Sequence, residues 1–118
     1  ISRFVGRRNK MRKKIWLIDI DGTVCEDIPN EESGRFGSAK VIPGALEKVI
    51  KLYNEGGRIT FFTSRTTEHA VATEEWLDRN GFPYESVCYN KPRINDGEEY
   101  HWIDNKPVCS TYFPEGLK

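Results

Sequence analysis

Apolar residues in this chain fall into short runs separated by polar stretches. The first run, Ile15-Trp16-Leu17-Ile18, is continuous rather than alternating, the pattern of a strand buried on both faces in a parallel sheet. It stops abruptly at Asp19-Ile20-Asp21-Gly22-Thr23. Arg58-Ile59-Thr60-Phe61-Phe62-Thr63 reads as a second strand and Ser86-Val87-Cys88-Tyr89 as a shorter third. Tyr100-His101-Trp102-Ile103 reads as a fourth, ending at Asp104. Two helices fit between the first three. Pro43 opens one at a position where its missing N–H costs little. Leu46, Val49, Ile50 and Tyr53 form its apolar stripe, and Gly56-Gly57 ends it. Thr66 or Thr67 caps the other, with Ala70, Thr73, Trp76 and Leu77 on its inner face and Asn80-Gly81 as its stop. Cys25 to Lys40 shows no sustained period and reads as a loop or small hairpin, with turn signals at Ser33-Gly34 and Phe36-Gly37. The residues after Pro107 read as irregular.

This order predicts an α/β domain with a mostly parallel sheet. Ligands of such sheets bind at the carboxyl ends of the strands. Asp19, Asp21, Thr63, Ser64, Lys91 and Asp104 all fall at or just past predicted strand ends, so residues distant in sequence are expected to converge on one edge.

A length of 118 residues fits one domain. Eighteen basic residues balance eighteen acidic ones, so charge balance implies no general nucleic-acid or membrane surface. The charges are unevenly spread. Arg7, Arg8, Lys10, Arg12, Lys13 and Lys14 make residues 1–14 a basic arm, and Glu26, Asp27, Glu31 and Glu32 follow it. Three cysteines, Cys25, Cys88 and Cys109, show no CxxC spacing, so neither a zinc site nor a disulfide framework is suggested. Free thiols in a reducing, cytoplasmic compartment are the simpler reading. No apolar run approaches the roughly 20 residues needed to cross a bilayer. The N-terminus is basic without an apolar stretch, so no secretory signal is expected.

Two carboxylates at i and i+2 leave the first strand together. In an extended segment both point the same way, with Ile20 pointing elsewhere. Like charges this close repel unless a cation intervenes, and a hard divalent ion with oxygen ligands resolves the conflict. Gly22 permits a sharp turn that brings backbone N–H groups toward an anion. A calcium loop is a poorer reading, because Val24 stands where that motif needs glycine. Two acidic residues merely exposed at a strand end would also account for the string alone. Thr63 and Ser64 can hold a phosphate oxygen together with helix N-terminal amides, or simply cap the second helix. Lys91, before Pro92, can neutralise phosphate or be an ordinary surface lysine. Asp104 can complete a metal site or cap a turn.

All four pieces in this order resemble the haloacid dehalogenase (HAD) superfamily of phosphohydrolases. The matching segments are DIDGT at Asp19 to Thr23, FFTSR at Phe61 to Arg65, NKP at Asn90 to Pro92 and HWIDNKP at His101 to Pro107. The resemblance implies a three-layer, Rossmann-like domain over residues 15–118. It also implies a magnesium-dependent phosphomonoesterase working through an aspartyl-phosphate. Asp19 then looks like the nucleophile and a metal ligand, and Asp21 like the general acid/base, its carbonyl also on the metal. Gly22, Thr63, Ser64 and Lys91 look like the phosphate-binding set. Asp104, or Asn105 beside it, looks like the remaining magnesium ligand. Many family members carry a second acidic residue or Gly-Asp there, so the neutral Asn105 is a departure.

Cys25 to Lys40 is too short for a helical cap, which points to the capless group, whose members often assemble into multimers. The expected partner is a small phosphorylated metabolite such as a sugar phosphate, with nucleic acid less favoured and no membrane. A polynucleotide end phosphatase, motivated by the basic arm, is one alternative. A phosphate- or metal-binding module without turnover, with Asn105 as the lesion, is the other. Arg65 is placed for a leaving-group contact or for a surface carboxylate. His69 and His101 read as structural, and Cys25 has no base beside it. Trp16, Trp76 and Trp102 read as core.

Overall fold

A computed structural model describes residues 14–118. The basic arm therefore lies outside the described residues except for Lys14. Three parallel strands form the sheet: β1 (Ile15–Ile18), β2 (Arg58–Phe62) and β3 (Ser86–Cys88), in the order β1-β2-β3. Register aligns Ile18 with Phe61 and Phe62 with Cys88, so the strands end at one level. Two helices supply the crossovers that parallel pairing requires. These are α1 (Ala45–Asn54) and α2 (Ala70–Arg79).

Side-chain alternation divides the sheet. Ile18, Ile59 and Phe61 enter one core with Ala45 and Val49 of α1, Trp76 and Leu77 of α2, and Phe82. Ile15 and Leu17, on the alternate positions of β1, are exposed. Phe61 meets Phe82 edge-on at 5.8 Å, and Trp76 stacks on Phe82 at 5.6 Å. Gly57 is required where it stands: a Cβ there would lie 2.7 Å from Trp16 Cδ1 and 2.8 Å from the Leu52 carbonyl.

The stretch between β1 and α1 is a 3-10 segment, Asn30–Ser38, rather than a hairpin. Phe36, expected in a turn, is buried and anchors it. The indole of Trp76 also ties it down, donating to the Ala39 carbonyl at 2.9 Å. Leu117 returns from the C-terminus into the core, its N–H bonded to the Thr23 carbonyl at 2.8 Å.

The fourth strand is not formed. Tyr100–Ile103 is irregular, with Trp102 54% and Ile103 97% exposed. A strand needs a paired edge to satisfy its backbone, and no ladder bonds reach this run among the described residues. Its polar groups bond locally instead: the Tyr100 hydroxyl to the Pro92 carbonyl, His101 to Glu99, and the Trp102 indole to Asp104. Trp102 is therefore not core, while Trp76 is buried and Trp16 packs against the core.

Replacing Trp76 with Phe keeps an aromatic ring but strands the Ala39 carbonyl. We expect Trp76→Phe to lose about 1–3 kcal/mol of stability, read by urea unfolding followed by circular dichroism. An unchanged midpoint would show that this bond does not hold the 3-10 segment to α2.

Candidate active site

The chain turns sharply beyond β1. The N–H groups of Thr23 and Val24 point at the Ile20 carbonyl, at 3.0 and 2.9 Å. Gly22 adopts φ +81°, a conformation open to glycine, and its amide donates to the Cys25 carbonyl at 2.9 Å. Gly22 thus makes the turn, and its amide is engaged within the loop. Ile20 is fully buried, between Asp19 and Asp21, which are each half-buried.

Backbone pairing continues past β2 and β3 and delivers the other residues. Thr63 N–H donates to the Cys88 carbonyl, and Lys91 N–H donates to the Thr63 carbonyl, both at 2.9 Å. Asn90 takes a left-handed conformation, φ 65°, which Asn tolerates better than most residues. The turn places Lys91 Nζ 3.6 Å from Asp19 Oδ1. It also sets that ammonium 4.6 Å from the centre of the Tyr100 ring. The second Asp19 oxygen accepts the Thr23 hydroxyl at 3.1 Å. Burial pushes the Asp19 carboxyl above its ordinary value, against the opposing pull of Lys91 and the Thr23 hydroxyl.

Asp21 faces a different cation. Arg65 Nη2 and Nε donate to its two oxygens at 2.7 and 2.9 Å, the planar fork-to-fork pairing of guanidinium and carboxylate. Each of the two carboxylates thus has a side-chain cation of its own, Lys91 for Asp19 and Arg65 for Asp21. Arg65 has 0% exposure, so it is neither a surface pair nor open to a leaving group. Thr63 is also fully buried, and its Oγ1 accepts the Arg65 N–H at 3.1 Å. Ser64 lies alongside, its carbonyl accepting from the Asn30 side chain at 3.2 Å.

Asp19, Asp21, Thr63, Ser64 and Lys91 thus converge on one edge. Asp104 and Asn105 do not join them. Asp104 is exposed and accepts from Trp102 Nε1 and from the Asn105 and Lys106 amides. Without a fourth strand, nothing carries that carboxylate to the sheet edge. No group of three His, Cys, Asp or Glu residues poised for a metal occurs among the described residues. The donors at the edge are hard oxygens led by the Asp19 carboxylate. They fit magnesium, which keeps several waters and commonly takes one or two carboxylates plus substrate phosphate.

A sequence model of the HAD superfamily, subfamily IIIB (Acid phosphatase), matches residues 3–101. The chain belongs to this family. It is 35% identical over 78 residues to a Chlorobaculum tepidum protein assigned as a 5'(3')-deoxyribonucleotidase, covering 61% of this chain and 38% of that one. It is 32% identical over 81 residues to an Oceanobacillus iheyensis protein assigned as a nucleotidase, covering 62% and 43%. The chain thus spans about two-fifths of the length of the curated relatives it matches. Its fold is similar to that of D,D-heptose 1.7-bisphosphate phosphatase from B. bronchiseptica, solved with magnesium and phosphate. The TM-score there is 0.54 at 18% identity, covering 71% of this chain and 52% of that one. The HAD α/β fold with parallel strands is as the sequence motifs imply.

Within this HAD-family site, Phe36 is a residue that motif reading left without a role, and Arg65, expected at a leaving group or a surface carboxylate, is instead the buried partner of Asp21. The one signal was position, since Arg65 directly follows the second strand-end pair Thr63-Ser64. His69 meets Phe36 edge-on at 5.3 Å, and His101 pairs with Glu99 on the surface.

Cys25 is buried with Asp21 Oδ1 3.7 Å away, and burial followed by that negative charge pushes its thiol up to about 12. We expect an alkylating reagent at pH 8 to label the exposed Cys88 and Cys109 and to spare Cys25 until denaturant is added. Rapid labelling of Cys25 in the native chain would contradict that environment. Folding raises the Asp19 pKa, so the folded state binds more protons than the unfolded state between the two values. Its ionisation therefore opposes folding as pH rises through that window. In metal-free buffer, Asp19→Asn is expected to melt higher than the native chain at pH 7. The gap should close below the ordinary carboxyl value of 3.8. A gap that widened toward acid would reverse the sign.

Proposed function

We propose that this chain is a magnesium-dependent phosphomonoesterase that forms an aspartyl-phosphate on Asp19. The observation that carries the reading is Lys91 Nζ 3.6 Å from Asp19 Oδ1 at the carboxyl end of β1. A carboxylate nucleophile beside a fixed cation is the arrangement phosphoryl transfer needs, because charge spreads over the equatorial oxygens. Asp19 Oδ1 attacks phosphorus as the bond to the leaving oxygen breaks, and Asp21 gives that oxygen its proton. Water then attacks the acyl phosphate, Asp21 takes a proton from it, and Asp19 is released with inorganic phosphate.

Lys91 neutralises the phosphoryl oxygens throughout. Thr63 Oγ1 accepts the Arg65 amide, which fixes this buried hydroxyl at the end of β2, on the inner wall of the phosphoryl site. Ser64 borders the same group, and Gly22 shapes the loop beneath it. Magnesium would be held by the Asp19 carboxylate and the Asp21 carbonyl, and would supply electrostatic stabilisation of the phosphoryl charge. The solved neighbour crystallised with magnesium and phosphate supports that choice of metal.

The substrate is a small phosphomonoester. The names of the curated relatives favour a nucleoside monophosphate over the sugar phosphate suggested by the motifs. Three free thiols support a cytoplasmic location. No helix among the described residues is long and apolar enough to cross a membrane.

Phosphate release from an aryl phosphate and from nucleoside monophosphates tests the reading. We expect turnover that needs magnesium, stops with a chelator and falls to background in Asp19→Asn. Turnover surviving in Asp19→Asn would remove Asp19 as nucleophile. Magnesium binding without turnover in the native chain would identify a non-catalytic binding module.

A further inference from the structure

Arg65 is a charge without solvent contact, and such a group is costly unless it is paired and hydrogen-bonded. Here the donors are met from three sides. Nε and Nη2 grip Asp21, Nη1 donates to the Thr73 hydroxyl at 3.0 Å, and Nη2 also lies 3.9 Å from Cys25 Sγ. The flat face of the guanidinium sits 3.7 Å from the centre of the Phe36 ring. Thr73 belongs to α2 and Phe36 to the 3-10 segment, so the group is clamped between two elements before it meets the strand end.

A core pin needs only some buried carboxylate. The partner here is one whose side chain keeps 12% exposure, two residues from Asp19. Two parallel donor bonds also fix the plane of a carboxylate, which a single contact does not. Proton transfer needs that control, because donor and acceptor must lie within about 2.6–3.2 Å in line. The fork takes one lone pair on each Asp21 oxygen. Oδ1 also has the Cys25 thiol at 3.7 Å, which leaves Oδ2 with the freer second lone pair.

We propose that Arg65 is the positioning residue of this site. It aims the Asp21 carboxyl at the leaving oxygen, and Phe36 and Thr73 hold it in the pose that does so. The inference rests on the acid–base role proposed above for Asp21. In the first step the proton passes from Asp21 to the departing oxygen as the P–O bond breaks. In the second, the oriented carboxylate receives a proton from the attacking water.

Leaving-group dependence separates positioning from mere support. An alkyl phosphate departs as a strong base and needs the proton, whereas an activated aryl phosphate departs without it. With magnesium present, Arg65→Lys keeps the charge but loses the fork. It is expected to lower alkyl phosphate turnover about 10²-fold, and aryl phosphate turnover less than about tenfold, with KM unchanged. Thr73→Val, close in volume, is expected to show the same selectivity at smaller size and covers the case in which Arg65→Lys does not fold. Equal losses on both substrates in the folded variants would overturn the proposal and make Arg65 a core pin. Asp21→Asn is the reference. Selectivity there but not in the Arg65 and Thr73 variants overturns this inference alone. No selectivity in Asp21→Asn removes the acid role of Asp21 and with it both readings.

Discussion

A guanidinium sealed from water needs a partner for its charge and for its N–H groups, and Arg65 finds its partners where four pieces of chain meet. Asp21 comes from the loop after β1, Thr73 from α2, Phe36 from the 3-10 segment, and the Thr63 hydroxyl meets the Arg65 amide at the end of β2. Removing one partner leaves a buried charge uncompensated, which commonly costs more than the pair contributes. The interaction is therefore better understood as a constraint on geometry than as a source of stability. It dictates where the 3-10 segment lies and how the loop after β1 is oriented.

The parallel sheet supplies the other half of the arrangement. Because β1, β2 and β3 end together, their continuations run side by side, and main-chain bonds through Thr63, Cys88 and Lys91 extend the pairing one step beyond the strands. A flexible lysine is thereby given a fixed root, and its ammonium reaches Asp19. Asp19 itself is held against its preference, since burial disfavours its charged form more than Lys91 and Thr23 favour it.

The two acidic residues of the DIDGT string illustrate how charge repulsion can be met in more than one way. Their proximity suggests a shared cation, and each carboxylate also has a side-chain partner of its own, Lys91 for Asp19 and Arg65 for Asp21. The two side chains are thereby tied to different parts of the chain. Asp19 remains at the sheet edge beside Lys91, and Asp21 is fixed by a fork rooted in the core.

The sequence by itself determined the parts whose causes are local. Continuous apolar runs marked β1 and β2, helical spacing marked α1 and α2 to within a few residues, and strand-end position marked Asp19, Asp21, Thr63, Ser64 and Lys91 as neighbours. Only the tertiary structure decided what depends on partners distant along the chain. Tyr100–Ile103 has a strand-like pattern but no paired edge, so it stays irregular and leaves Asp104 and Asn105 away from the site. Phe36 sits in a turn-like context yet becomes the floor under a buried guanidinium. Beyond its place after Thr63-Ser64, nothing in the string marks Arg65, among the described basic residues, for complete loss of contact with water. Burial belongs to the packing of several elements at once, and hydrophobic period reports only one element at a time.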